Sequence, residues 1–184
     1  MITREDTSNI RSLTGKSKVP ADCLPTDHPV AGGILPVSIL FERLAPLVGA
    51  NIADAGRDQE RNRGGAVHQL VCSALGYKRY ADDGRFPDVR NQLLEIKLQT
   101  ARTIDLGLVR PDSTEPLDTP MLNGRQLRHC DVRYGIFFGT TDGRRVRITH
   151  FYLTTGEAFF NRFRRFEGKV LNKKLQIPLP GGFL

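Results

Sequence analysis

Between residues 93 and 99 the chain reads Leu-Leu-Glu-Ile-Lys-Leu-Gln, and no other stretch constrains the fold as tightly. Side chains of a strand alternate between its two faces, so Leu94, Ile96 and Leu98 share one face while Glu95, Lys97 and Gln99 share the other. The apolar face needs a sheet with a core behind it. The opposite face sets an acid, a base and an amide in a row.

The flanking segments supply that core. Residues 58–75 predict a helix, because Val67, Leu70, Val71, Ala74 and Leu75 recur at helical spacing before a stop at Gly76. Glu60, two turns before Val67, falls near the same face at the rim of the core. A helix is also expected over 37–48, kinked or shortened by Pro46. Strand-like runs at 77–80, 86–89, 93–99 and 104–109 surround the turn Asp82-Asp83-Gly84, and a Pro-rich loop fills 110–128. A hairpin over 132–138 and 145–153 turns at Asp142-Gly143. Thr154 and Glu157, at capping-box spacing, precede a helix whose Phe159, Phe160, Phe163 and Phe166 suit a core better than a ligand site. Residues 1–36 show no apolar period and read as an N-terminal arm or irregular lead-in. The expected fold is α/β in the mixed α+β sense, a central mixed β-sheet flanked by helices, with 37–184 as a single domain.

Length and composition agree: 184 residues with 39% hydrophobic and 26% charged residues fit one domain with one real core. No run of about 18 apolar residues predicts a membrane span, and the first residues do not read as a secretion signal. Cys23, Cys72 and Cys130 have neither disulfide-scaffold nor zinc spacing, and His28, His68, His129 and His150 form no metal pattern, so a reducing cytoplasm is the expected setting. The net charge of +7 is unevenly placed. Residues 121–184 hold twelve basic and four acidic side chains, an excess that suits a polyanionic partner.

If a turn at Arg90-Asn91 brings Asp88 beside Glu95, the two carboxylates repel unless a cation lies between them. Hard oxygen donors with room for water suit Mg²⁺. Lys97, one pleat further, would place a positive charge near metal-bound water or a phosphate. The rival reading is a solvated strand face with Asp88 as an ordinary turn residue.

Pro87-Asp88, a six-residue gap and Glu95-Ile96-Lys97 resemble the signature of the PD-(D/E)xK nuclease superfamily, over residues 57–107. The likeness is greatest to type II restriction endonucleases. It implies a restriction-endonuclease-like core and Mg²⁺-dependent hydrolysis of DNA, with Mn²⁺ as a substitute metal. Asp88, Glu95 and the Ile96 backbone carbonyl would then bind the metal, with Glu60 as a supplementary ligand, and Lys97 would assist the attacking water. Gln99 resembles a glutamine found in several branches of the superfamily and is a candidate DNA contact, with a plain polar strand residue as the alternative. The implied partner is double-stranded DNA, with a homodimer and a cognate DNA methyltransferase as functional associates in a prokaryotic cytoplasm. Arg125, Arg128, Arg133, Lys169, Lys173 and Lys174 are candidate DNA contacts. A repair, recombination or transposition nuclease of the same superfamily and a non-catalytic DNA-binding module are the alternatives.

Overall fold

Two apolar clusters, one on each face of a sheet, organise the chain. The computed structural model describes residues 3–15, 18–53, 59–101, 103–107, 109–163 and 176–178, with the side chains of 59–63, 105 and 176–178 excepted. Elements follow the order α1 (Ser8–Arg11), α2 (Val37–Leu44), β1 (Asn51–Ala53), α3 (Gln59–Leu75), β2 (Leu94–Gln99), β3 (Thr103–Asp105), β4 (Arg133–Thr141), β5 (Arg145–Thr155), α4 (Phe159–Arg162) and β6 (Gln176–Pro178). A four-stranded sheet runs β1-β5-β4-β2, and β3 pairs with β6 in a second, two-stranded sheet. The β4–β5 hairpin is antiparallel and β2 joins β4 in parallel, so the sheet is mixed. A parallel neighbour requires a long crossover, here residues 100–132. Among the described residues no helix is long and apolar enough to cross a membrane.

The first core lies between the sheet and helices α2 and α3. Leu40 and Leu44 of α2 and Val67, Val71 and Leu75 of α3 meet Leu94 and Ile96 of β2, Phe137 of β4 and Ile148, Phe151 and Leu153 of β5. As the sequence predicts, Pro46 shortens the first of these helices: α2 stops at Leu44 and a 3₁₀ turn covers Ala45–Leu47. The second core covers the other face, where Tyr134, Ile136 and Phe138 pack with Ile10, Leu13, Ile34, Leu127, Phe159 and Phe163.

Several local expectations change. The runs 77–80 and 86–89 form no strand; apart from Val89, which bridges Leu94, this stretch is irregular. Asp82 and Asp83 accept hydrogen bonds from the N–H groups of Gly84 and Arg85, giving the backbone local partners in place of a ladder. Helix α4 ends at Arg162, and Phe163 buries itself with extended backbone; Phe166 lies outside the described residues.

Described residues of the irregular lead-in pack into the body. Ile10, Leu13, Ile34 and Leu35 are fully or almost fully buried, and Asp6 supplies the counterion of Arg133. Arg133 is wholly inaccessible: its Nε donates to Asp6 at 2.8 Å, and its other nitrogens donate to the carbonyls of Gln92 and Leu35. Asp6 also accepts the N–H of Val37 at 2.9 Å, tying the start of α2 to the same pair. Removing one partner of a buried ion pair strands the other charge, at a cost of about 3–5 kcal/mol. Asp6→Ala should therefore lower the unfolding free energy by about that amount in urea titration, and a loss under about 1 kcal/mol would show that Asp6 is not the essential partner.

Candidate active site

A tight reversal places Asp88 against Glu95. Val89 and Leu94 exchange two backbone hydrogen bonds, of 2.9 and 3.1 Å, and Arg90–Gln92 make a 3₁₀ turn between them. Leu93 closes the turn at φ 48°, a left-handed conformation in which Cβ crowds the backbone and which costs roughly 1 kcal/mol or more for a non-glycine residue. Three buried polar side chains hold it there. Arg90 donates twice to Asp83 at 2.8 Å and once to the Thr26 carbonyl. Asn91 accepts from the Tyr77 hydroxyl and from Gln92, at 3.1 and 2.7 Å. Gln92 accepts the Leu35 N–H at 2.8 Å and donates to the Gly33 carbonyl.

The result is an interlocked acid pair. The Asp88 N–H donates to Glu95 Oε2 at 3.2 Å, and the Ile96 N–H donates to Asp88 Oδ2 at 2.8 Å. Lys97 Nζ stands 2.8 Å from Glu95 Oε1. The Glu95 side chain is 7% exposed and that of Lys97 24%, and Asp88 is half-buried, so solvent reaches the site at both Lys97 and Asp88. Burial, then the Glu95 charge, push the Asp88 carboxyl up to about 7 from its ordinary 3.8, against the pull of the Ile96 N–H and of Lys97. Tyr134, in register with Glu95 on β4, has its phenol pushed upward by burial and by the Glu95 charge.

Asp88, Glu95 and Lys97 are thus brought together, and register places Gln99 on the same face, half-buried and opposite Phe138. The Ile96 N–H donates to Asp88 Oδ2, which sets the Ile96 backbone, whose carbonyl the nuclease resemblance assigns to the metal, beside the acid pair. Glu60 falls on α3, but its side chain lies outside the described residues, as do Lys169, Lys173 and Lys174. Arg133 is corrected outright: wholly buried and paired with Asp6, it has no surface to offer a phosphate. Arg125 is exposed and donates to the carbonyls of Ser8 and Asn9, and Arg128 is exposed before the 3₁₀ turn His129–Asp131. Arg90, Asn91 and Gln92, the side chains that set the site, carry no signal readable in the sequence, since polar residues in a turn ordinarily face water.

The residues fit a divalent cation. Asp88 Oδ2 is used by Ile96, but among the described residues no donor reaches Oδ1. Two hard carboxylates whose charges disfavour each other suit Mg²⁺, which binds through one or two carboxylates and keeps several waters. Among the described residues no group of three or more His, Cys, Asp or Glu side chains is set for a metal, so water and substrate oxygens would complete the shell. Compared with known family models, curated proteins and solved structures, the chain matches none.

In the metal-free protein the raised Asp88 carboxyl makes stability fall with pH. Between its unfolded value of 3.8 and its folded value of about 7, the native state holds a proton that the unfolded chain releases, so each step upward in that window favours unfolding. Melts in EDTA should show this decline from pH 4 to pH 7 for the parent and a flatter profile for Asp88→Asn. Identical profiles would mean that Asp88 is not held against Glu95.

Proposed function

We propose that the chain is a Mg²⁺-dependent endonuclease that hydrolyses DNA phosphodiester bonds, acting as a sequence-specific restriction enzyme of type II kind. The observation that carries this reading is the close Asp88–Glu95 pair, Glu95 buried and Asp88 half-buried, with Lys97 Nζ 2.8 Å from Glu95 Oε1. A merely solvated strand face would leave Glu95 in water, whereas Glu95 is 5% exposed and engaged from two directions.

Asp88 and Glu95 would hold the cation, and the backbone hydrogen bonds to Asp88 Oδ2 and Glu95 Oε2 fix both carboxylates before it binds. When bound, Mg²⁺ supplies Lewis-acid polarisation of the phosphate and acidifies bound water. Lys97 extends from the same face as Glu95 and presents its ammonium where a phosphate approaching from solvent would stand. There it orients the attacking water and offsets negative charge growing on the phosphate oxygens. Glu95 keeps that ammonium from swinging away, which preserves the geometry at small entropic cost.

Cleavage assays with varied DNA and Mg²⁺ test the reading. Discrete fragments support restriction, and a smear supports a non-specific nuclease with the same chemistry. Intact DNA that is shifted in a gel supports a binding module instead. Lys97→Ala should abolish cleavage while DNA affinity, measured in Ca²⁺, stays within a few-fold of the parent, because the ammonium acts on charge development more than on ground-state binding. Full activity in this variant would remove Lys97 from the mechanism.

A further inference from the structure

Strand β5 changes phase partway along. From its C-terminal end, Leu153 and Phe151 enter the first core, while Thr154, Tyr152 and His150 point to the opposite face. That face is the one of Glu95, Lys97 and Gln99, through the pairs Glu95↔Tyr134↔Thr154, Lys97↔Ile136↔Tyr152 and Gln99↔Phe138↔His150. An unbroken period of two would carry residues 149, 147 and 145 to the side of Phe151, burying two arginines in an apolar core. A bulge prevents it: Phe138 pairs with His150 but Gly139 with Ile148, leaving Thr149 as the extra residue. Val146 and Ile148 turn into the core at 0% exposure, and Arg145 and Arg147 emerge exposed on the face of the catalytic row.

The bulge is fixed by its own residues. Thr149 Oγ1 donates to the Phe138 carbonyl at 3.1 Å. A Cβ on Gly139 would lie 2.5 Å from Val146 Cγ1 and 3.0 Å from the Arg147 carbonyl, so only glycine fits without displacement. Pairing with β1 holds the arginines in line, Asn51 opposite Arg147 and Ala53 opposite Arg145. With Arg144 of the adjoining turn they make three cations in four positions, all exposed, and among the described residues no ion pair reaches them. The turn acid Asp142 is occupied by the N–H groups of Arg144 and Arg145.

Arg147 and Arg145 lie three and five residues beyond His150 on β5, and His150 is reached from Gln99 across two strand spacings of about 4.8 Å, on the order of 10 Å. Duplex DNA carries about six backbone charges over that length. We propose that Arg145 and Arg147 form a phosphate-binding track for double-stranded DNA at the exposed end of this face, beyond the buried Ile136 and Phe138, and position the duplex against the Lys97-Gln99 end of the row. The positioning half of this proposal rests on the nuclease reading; the binding half does not.

The test compares the parent with Arg145→Ala/Arg147→Ala and with Arg145→Lys/Arg147→Lys, using a labelled mixed-sequence DNA duplex in Ca²⁺ over a range of salt. Both sites are exposed, and matching thermal melts check that the variants are folded. Losing two phosphate contacts should flatten the log–log salt slope by about 1.8 and weaken binding about 30-fold at 0.15 M salt, with the lysine pair recovering most of the slope. An unchanged slope in the alanine pair overturns the track, and if the parent cuts DNA the nuclease reading survives that result. A flattened slope in a parent that never cuts leaves the track standing and removes the nuclease reading. A parent that binds no duplex removes both.

Discussion

Like charges in a low-dielectric setting resist approach, and the chain brings Asp88 and Glu95 together through the six-residue reversal from Val89 to Leu94. That reversal passes through a left-handed leucine and buries an arginine, an asparagine and a glutamine. None of this would persist unless surrounding structure over-determined it. Arg90 is fixed by Asp83, Asn91 by Tyr77, and Gln92 by Leu35 and Gly33, while the Gln92 carbonyl accepts from Arg133. The candidate site is therefore the solvent-facing end of a buried polar network that reaches Asp6.

The network explains why the described residues before Val37 belong to the packed body. Asp6 neutralises Arg133, Leu35 supplies both a donor and an acceptor, and Thr26 accepts from Arg90. Asp131 secures the same segment, accepting from Thr7 at 2.5 Å and from Asn9 at 2.7 Å. The N-terminal segment thus braces the turn that sets the carboxylates, and its apolar residues close the second core around Tyr134. Buried polar networks of this kind fix geometry when every member is satisfied.

Much of the site was legible because its signal is short-range. The period of β2 assigns Glu95 and Lys97 to one face without any knowledge of the fold, and the gap to Asp88 suits a single reversal. The amphipathic stripes of α2 and α3 and the Asp-Gly hairpin were readable for the same reason. What escaped depends on contacts distant in sequence. Arg133 reads as a surface cation until Asp6, 127 residues away, is seen to neutralise it. Residues 77–80 have strand propensity, yet the hydrogen bonds that Asp82 and Asp83 accept from the N–H groups of Gly84 and Arg85 favour turns nearby. The bulge at Gly139 inverts the β5 phase, so a simple alternation places Arg145 and Arg147 on the wrong side.

The central claim is that Asp88 and Glu95 form a divalent-cation site, and thermal melts with EDTA, Mg²⁺ and Mn²⁺ test it most directly. A ligand that binds only the native state at a hundredfold excess over its Kd adds about 2.7 kcal/mol, on the order of 5–10 °C for a chain of this length. Mn²⁺ binds such sites more tightly than Mg²⁺ and gives the larger shift. The account predicts that both metals raise the melting temperature of the parent and leave Asp88→Asn nearly unmoved. Equal shifts in the two proteins, or no shift of the parent in either metal, would contradict it.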